Sequence, residues 1–256
     1  MAISLANLRR RSEVKPPRML IYGTAGIGKT TLGQNAPSPV FLQTEESFVD
    51  CPTFGLLKTY DEMMDALGEL VNEAHDFQTV VLDSLDWLEP LVWAQTCRTN
   101  KWDNIEAPGY GKGYAATLDT WRVVLDAFNA LRDERGMTII LLAHCEIKRF
   151  DSPETEPYDR YQIKLHKAAS ALVQEHVDAV LFANYRVTTA KADAGFNKKV
   201  VRGVGTGDRR LFTTERPAFL AKNRYELEDN LPLEWPALSD AISAFHANKK
   251  GEVKNG

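Results

Sequence analysis

The sequence predicts an α/β fold in which a central, mostly parallel sheet is flanked by helices. Short aliphatic runs alternate along the chain with segments of helical period, and a glycine-rich loop directly follows the first of these runs. Alternation of this kind is typical of sheets that are buried on both faces. A chain of 256 residues forms one or two domains, and α/β folds often reach this length as a single unit. We therefore expect one domain.

The predicted strands are runs rich in β-branched and aliphatic residues. They comprise residues 19–22, 40–43, 79–83, 138–143 and 179–183. After residue 183 the pattern changes, because strand-like runs at 186–190 and 199–204 enclose a turn-rich segment at 193–197. This pattern predicts a C-terminal antiparallel hairpin at the sheet edge, with residues 210–214 as a candidate third strand.

Apolar residues at helical spacing predict helices. Thr59 followed by Glu62 has the pattern of a capping box, and an apolar stripe begins directly after it. The three stripes consist of Met63, Met64, Leu67, Leu70, Val71 and Ala74, of Leu118, Trp121, Leu125, Phe128 and Leu131, and of Trp235, Leu238, Ile242 and Phe245. We assign the first two to core packing rather than to cofactor binding, because the helical period alone accounts for them, and the third predicts a closing helix.

Composition narrows the classes of function. Hydrophobic residues make up 44% and charged residues 26% of the chain, as in ordinary globular proteins. The net charge of -4 argues against a protein that coats nucleic acid by bulk charge, although it allows a local basic surface. Cys51, Cys97 and Cys145 lie too far apart for a zinc site, and we expect reduced thiols. No apolar run is long enough to span a bilayer and no signal peptide is visible, so we expect a cytoplasmic protein.

The two ends of the chain differ from its middle. Residues 1–17 carry Arg9, Arg10 and Arg11 ahead of two prolines, which predicts a flexible basic arm. Residues 248–256 are expected to form a flexible tail. The folded domain is therefore predicted to span residues 18–247.

A phosphate-binding loop is predicted directly after the first strand. Residues 23–30 satisfy G-x-x-x-x-G-K-[ST] in the strand–loop–helix context that the motif requires. The predicted nucleotide contacts are Gly23, Thr24, Ala25, Gly26, Ile27, Gly28, Lys29, Thr30 and Thr31. Lys29 is expected to reach the β- and γ-phosphates, and Thr30 to ligate Mg²⁺. The alternative is a glycine-rich turn that matches by chance.

Asp83 is the predicted second magnesium ligand. It closes the aliphatic run of residues 79–83, as the acidic residue of a Walker B strand does. An aspartate that caps the following helix is the alternative explanation. Ser84, and not a glutamate, follows Asp83, so the group that activates water must come from elsewhere.

Three further residues are candidates for the reaction itself. Glu45 and Glu46 follow the second strand, at the sheet edge where α/β proteins bind ligands, and either carboxylate can orient the attacking water. An exposed acidic turn is the alternative. His144 closes the strand at residues 138–143, where it is a candidate contact to the γ-phosphate or a structural histidine.

These motifs resemble the RecA-like division of P-loop ATPases, and more closely the phage and prophage AAA-domain group, some of whose members act as single-strand annealing recombinases. The resemblance spans about residues 17–246. The segments that carry it are residues 23–31, 41–45, 80–84, 109–114, 141–144, 158–161, 164–167 and 222–225. The phosphate loop alone is generic, whereas the later segments in this order are specific to the phage group.

The resemblance implies a RecA-like P-loop NTPase fold and several residue roles. Glu45 occupies the position of the glutamate that acts on the attacking water, and Asp83 that of the magnesium-side carboxylate. His144 stands where RecA has a glutamine that senses the γ-phosphate. Lys222 and Arg224 resemble the basic pair that RecA-like proteins insert into the nucleotide site of the neighbouring subunit. Hydrolysis would then require assembly, because positive charge arrives in trans.

The resemblance also places two DNA-binding loops, at residues 98–114 and 146–164. The first contains Lys101, Trp102 and Lys112, and the second contains Lys148, Arg149, Arg160 and Tyr161. Basic groups beside aromatic rings can follow a single-strand backbone while bases stack. Without the family resemblance, the same segments are interpreted as solvated loops, and acidic residues reduce the positive charge of the second segment.

These observations predict an ATPase with ATP and Mg²⁺ as cofactors. We expect a homo-oligomer, ring or filament, that binds single-stranded DNA and promotes annealing or recombination in phage, in the host cytoplasm. A single-strand DNA-binding protein is a further candidate partner, and no membrane association is expected. A regulatory or partner-loading ATPase that does not bind DNA is the main alternative. A nucleotide kinase is a weaker one, because no basic lid is visible in the sequence.

Overall fold

The computed structural model describes the backbone of residues 14–193 and 199–254 and the side chains of residues 14–186 and 207–249. The strands are β1 (Arg18–Gly23), β2 (Pro39–Gln43), β3 (Thr53–Leu56), β4 (Thr79–Asp83), β5 (Thr138–Phe150), β6 (Tyr158–Ile163), β7 (Ala179–Asp193), β8 (Lys199–Phe212), β9 (Lys222–Asn223) and β10 (Asn230–Pro232). The helices are α1 (Lys29–Gln34), α2 (Tyr60–Asn72), α3 (Leu85–Asn100), α4 (Lys112–Glu134), α5 (Lys167–His176) and α6 (Trp235–Lys254).

The strands form one sheet in the order β10-β8-β7-β1-β5-β4-β2-β3. The pairs from β7 through β1, β5, β4 and β2 to β3 are parallel, whereas β8, β9 and β10 are joined by antiparallel pairing. The predicted fold class is confirmed: a mostly parallel α/β sheet flanked by helices, with antiparallel strands at one edge.

Side chains alternate between the two faces of the sheet and build two cores. Along β1, Leu20 and Tyr22 pack with Trp121 and Phe128 of α4, while Met19 and Ile21 pack with Leu32 of α1. α2, α3 and α5 join the first core, and α6 joins the second through Leu238 and Ile242. Burial on both faces explains why the central strands read as continuous aliphatic runs.

The predicted helical stripes are confirmed except for Ala74, which is exposed and lies beyond the end of α2. Thr59 accepts a hydrogen bond from the backbone N–H of Glu62, and the Glu62 carboxylate accepts one from the backbone N–H of Thr59, which completes the capping box of α2. Met63 and Leu67 lie in the core, as do Trp121, Leu125 and Phe128 of α4.

The C-terminal hairpin is longer than predicted. β7 continues without interruption from the central strand through the first predicted hairpin run, with a shift of register between Tyr185 and Val187. The prediction of a third strand at residues 210–214 is wrong, because residues 210–212 are the end of β8. The strand that pairs with β8 on its other side is β10. The predicted turn lies mostly outside the described residues, which omit 194–198.

The structure describes residues near both predicted limits of the domain. Lys15 pairs with Asp133 at 2.7 Å, and the carbonyl oxygen of Pro16 accepts a hydrogen bond from Arg132, so the last residues of the predicted arm contact α4. Residues 1–13, with Arg9, Arg10 and Arg11, lie outside the described part of the chain. α6 runs to Lys254, so helix continues past residue 247, where a flexible tail was expected.

Candidate functional site

The carboxyl ends of four parallel strands form the candidate site. β1 pairs with β5 so that Gly23 lies opposite His144, and β2 pairs with β4 so that Gln43 lies opposite Asp83. Open α/β sheets bind their ligands at this edge. The sheet therefore brings together residues that lie far apart in the sequence.

Two glycines shape the loop between β1 and α1. A Cβ atom at Gly23 would lie 2.1 Å from the carbonyl oxygen of Ala183 on β7, so a larger residue does not fit there. Gly28 is the N-cap of α1 with φ 113°, a conformation that favours glycine. Between them, Ala25 and Gly26 are exposed and Ile27 is buried, while Thr31 is exposed at the start of α1.

Lys29 is folded back onto this loop. Its buried side chain donates hydrogen bonds from Nζ to the carbonyl oxygens of Gly23 at 3.2 Å and Thr24 at 3.1 Å. Burial lowers the pKa of Lys29, while the Asp83 carboxylate opposes that shift. The ammonium group thus already lies beside the turn that is predicted to hold phosphate.

Thr30 and Asp83 form a pair of oxygen donors. Thr30 Oγ1 donates a hydrogen bond to Asp83 Oδ2 at 2.8 Å, and Ser47 Oγ lies 3.5 Å from the same oxygen. Hydroxyl and carboxylate oxygens are the ligands that Mg²⁺ prefers. The donors present therefore fit the predicted magnesium site.

The two candidate bases lie in different surroundings. The side chain of Glu45 is 17% exposed and lies 4.0 Å from His144 Nδ1, whereas Glu46 is exposed. Burial raises the pKa of Glu45; the His144 ring opposes this shift, and the Asp83 and Asp86 carboxylates add to it. The structure therefore places Glu45, and not Glu46, beside the other predicted site residues.

The site also contains Asp86, which sequence reasoning missed. Its carboxylate accepts a hydrogen bond from the backbone N–H of His144 at 2.9 Å and lies 3.0 Å from Nδ1 of the same residue. Its side chain is only 2% exposed. The available signal was its position in the first turn of the helix after Asp83, but no short motif marks it.

Arg209 is a second residue that the sequence did not single out. It lies on β8, and its Nη1 donates a hydrogen bond to the carbonyl oxygen of Ile27 in the phosphate loop at 3.4 Å. β8 is two strands away from β1 in the sheet, so only the fold brings this cation to the loop.

Lys222 and Arg224 make contacts within this chain. Lys222 Nζ donates hydrogen bonds to the carbonyl oxygens of Gln174 at 2.7 Å and Val177 at 2.8 Å, at the C-terminal end of α5. Arg224 Nη1 lies 3.3 Å from Asp178 Oδ1, with half of its side chain exposed. A contact in trans would require both cations to leave these partners, so that role stays a prediction.

The residues of the predicted DNA loops differ in availability. Lys101, Lys112, Lys148 and Arg149 are exposed. Arg160, which was also predicted to contact DNA, is buried instead. It is 5% exposed, and its Nη2 donates hydrogen bonds to Glu215 at 2.5 Å and to the carbonyl oxygen of Phe219 at 3.0 Å. The guanidinium therefore binds groups of the protein itself, because β6 lies against the segment that contains Glu215 and Phe219.

The second predicted loop is largely a β-hairpin. Residues 145–150 at the end of β5 pair antiparallel with β6, so that Lys148 lies opposite Arg160 and Arg149 opposite Asp159. Ion pairs partly neutralise its cations, since Lys148 lies 2.7 Å from Glu146 and Arg149 lies 3.9 Å from Asp151. Trp102 is partly buried in the first segment, and Tyr161 is partly buried on β6.

The two predicted DNA segments meet at one cavity of about 450 Å³. Tyr114, at the end of the first segment, stacks on His166 with ring centroids 4.4 Å apart. Lys148 and Lys164 come from the second segment, and Trp87 and Trp93 come from α3. We call this the aromatic cavity. Asp86 also lines it, so the cavity adjoins the candidate nucleotide site.

Comparison with known proteins places this geometry in a family. A family model described as AAA domain, AAA_24, matches residues 15–225. The chain therefore belongs to this AAA-domain family of P-loop ATPases. No curated protein matches the sequence.

Among solved structures, the chain is similar to that of the RadB recombinase, with 14% sequence identity and a TM-score of 0.48. The match covers 87% of this chain and 90% of that one. Within the described part of the chain, no helix is both long and apolar enough to cross a membrane.

Proposed function

We propose that this protein is a Mg²⁺-dependent, RecA-like ATPase that binds single-stranded DNA, assembles as a homo-oligomer and promotes annealing or recombination of phage DNA. The observation that carries the ATPase part is the cluster of Lys29, Thr30, Asp83 and Glu45 at one edge of the sheet. Family membership supports the same reading.

In this proposal each residue has a separate task. Lys29 exchanges its loop carbonyls for the β- and γ-phosphates of ATP, which backbone N–H groups of the loop also bind. Glu45 accepts a hydrogen bond from the attacking water and orients it. Thr30 and Asp83 hold Mg²⁺, which supplies positive charge to the phosphate oxygens. His144 contacts the γ-phosphate from the adjacent strand.

The ATPase part is tested with Lys29→Ala. We expect steady-state hydrolysis to fall by at least about 100-fold, because a charge that stabilises the transferring phosphoryl group is lost. Arg122→Ala is the control, since this arginine is exposed on α4 and pairs with Asp119. Both variants should keep the wild-type circular dichroism spectrum. Full turnover by a folded Lys29→Ala protein would contradict the assignment.

The DNA part is supported by the aromatic cavity and the exposed cations beside it. Lys148 and Lys164 line the cavity together with Trp87 and Tyr114, and Arg149 is exposed on the same hairpin. This is the mixture of cations and rings on which a single strand stacks and is neutralised. Lys101 and Lys112 add exposed cations from the first segment.

Anisotropy of a labelled oligonucleotide tests the DNA part. We expect binding that tightens with a slowly hydrolysed ATP analogue and weakens with salt. The double variant Lys148→Ala/Arg149→Ala should reduce the slope of log affinity against log salt by about 1.4, since each single-strand phosphate contact contributes about 0.7. Lys58→Ala, an exposed lysine beside edge strand β3, is the control.

The alternative function is a regulatory ATPase that does not bind DNA. The ion pairs of Lys148 and Arg149 with acidic neighbours are the observation in its favour. Lack of single-strand binding with every nucleotide, together with ATPase activity that DNA does not stimulate, would favour this alternative. Sedimentation with ATP and DNA would then show whether the protein assembles at all.

A further inference from the structure

His144 is held at two points by a single carboxylate. Asp86 Oδ1 accepts the backbone N–H of His144 at 2.9 Å, and Asp86 Oδ2 lies 3.0 Å from the ring Nδ1. Ser84 Oγ donates to Oδ1 at 3.0 Å, and Lys164 Nζ lies 3.8 Å from Oδ2. The side chain of Asp86 is 2% exposed, so its carboxylate is buried among these contacts.

This contact determines where the ring carries its proton. An ionised carboxylate only accepts hydrogen bonds, so Nδ1 of His144 must be the donor. The hydrogen bonds from His144 and Ser84 hold the pKa of Asp86 below its ordinary value despite the opposing effect of burial. In the neutral ring the proton is then on Nδ1, and Nε2 bonds none of the described residues.

We propose that Asp86 is the positioning residue for His144: it keeps the proton on Nδ1, fixes the ring and leaves Nε2 for the phosphate end of the nucleotide. The reaction part of this inference rests on the proposed ATPase function. Asp86 acts through His144 and contacts no nucleotide in this proposal. Since Asp86 also lines the aromatic cavity, the position of His144 depends on a residue that the two sites share.

The variant Asp86→Asn keeps the contact with the His144 backbone but removes the negative charge that faces the ring. Its remaining oxygen would accept the backbone N–H of His144, and its amide nitrogen would face Nδ1. Because an amide nitrogen donates, Nδ1 would become the acceptor and the proton would move to Nε2. An asparagine that replaces the orienting aspartate of a histidine has this effect in serine proteases.

Long-range ¹H–¹⁵N NMR of the histidine rings tests the tautomer without any nucleotide. At pH 9 the wild-type signal of His144, one of five histidines, is assigned by its loss in His144→Gln. We expect a protonated Nδ1 in the wild type and a protonated Nε2 in Asp86→Asn. An unprotonated Nδ1 in the wild type would overturn the inference even if the variant failed to fold.

Kinetics test the consequence for the reaction. We expect Asp86→Asn to lower kcat for ATP about 100-fold or more while KM stays within about threefold, because ring orientation and not nucleotide affinity is lost. Asp119→Asn, an exposed aspartate on α4, is the matched control. A wild-type protein without ATPase activity would refute the proposed function but leave the tautomer test intact. A shifted tautomer with unchanged kcat would refute the positioning role.

Discussion

Glu45 and Glu46 are neighbours in the sequence, yet only Glu45 lies among the other predicted site residues. Glu45 is half-buried between His144 and Asp83, while Glu46 is exposed. Position after the strand treats the two alike, and in the sequence only the resemblance to RecA-like proteins singles out Glu45. The difference arises from the position of β5 beside β4, which places His144 against one of them.

Replacing each glutamate in turn should separate them. We expect Glu45→Gln to lower the rate of ATP hydrolysis about 100-fold or more, because a neutral amide orients water without taking its proton. Nucleotide binding, followed with a fluorescent ATP analogue, should persist. Glu46→Gln is the paired control and should keep turnover within about threefold of the wild type. Equal losses in both variants would remove Glu45 from its assigned role.

At the scale of elements, the sequence predicts what local pattern determines. The capping box at Thr59 and the stripes of α2 and α4 depend on residues three and four apart, and the structure confirms them. The β5–β6 hairpin was not predicted, because residues 145–150 and 158–163 pair antiparallel with each other and carry no aliphatic run. A helix was expected after Asp83, but no apolar stripe marked α3, since polar Glu89 and Thr96 lie at its buried positions and Pro90 lies inside it.

The parts of the site that could be predicted are likewise those that a local sequence pattern determines. The phosphate loop and Asp83 follow from short motifs in a strand context, and the structure brings them together. The burial of Arg160 and the contact of Arg209 with the loop arise from strands that are distant in sequence. A basic residue in a predicted loop therefore does not by itself indicate an exposed cation.

Glu89 gives α3 a pH-dependent stability. It is 6% exposed, and burial raises its pKa to about 7, opposed by the hydrogen bond that it accepts from the backbone N–H of His166 at 3.0 Å. The folded protein thus keeps this proton between pH 4.5 and about 7, where the unfolded chain has lost it. Stability that is present below pH 4.5 should therefore be lost as the pH rises to about 7.

Glu89→Gln should remove this loss. The glutamine can still accept the His166 bond, so we expect the variant to exceed the wild type at pH 8 by up to about 3 kcal/mol in free energy of unfolding. At pH 4 the two proteins should be equal. Urea unfolding at both pH values measures the difference, with Glu69→Gln, exposed on α2, as the control. A gain of the same size at both pH values would contradict the explanation.

At the scale of the whole molecule, Asp178 joins segments from across the chain. Its carboxylate lies 3.2 Å from Arg18 of β1, 3.2 Å from Arg132 of α4 and 3.3 Å from Arg224, which follows β9. The side chain is 10% exposed. Burial raises the pKa of Asp178, but the hydrogen bonds from Arg18 and the charge of Arg132 outweigh it, so the pKa is lowered.

This cluster also bears on assembly. Arg224 is one of the two cations expected to act in a neighbouring subunit, and Asp178 holds it in this chain. Lys222 is held nearby by carbonyl groups at the end of α5. Any role in trans would therefore exchange these contacts for new ones across an interface, and the exposed half of Arg224 is the part best placed to make the exchange.

Asp178→Asn should destabilise the protein more than the loss of an exposed ion pair does. Removing the charge leaves two largely buried guanidinium groups and a third beside them without their anion, and we expect a loss of about 3 kcal/mol in urea unfolding at pH 7. Asp133→Asn is the matched control, because this aspartate pairs with Lys15 at the surface and should cost less than about 1 kcal/mol. The wild-type advantage should shrink as the pH falls below the ordinary aspartate value of 3.8, since Asp178 then loses the charge that the folded state stabilises. Equal losses in the two variants would mean that the cluster does not hold β1, α4 and the segment after β9 together.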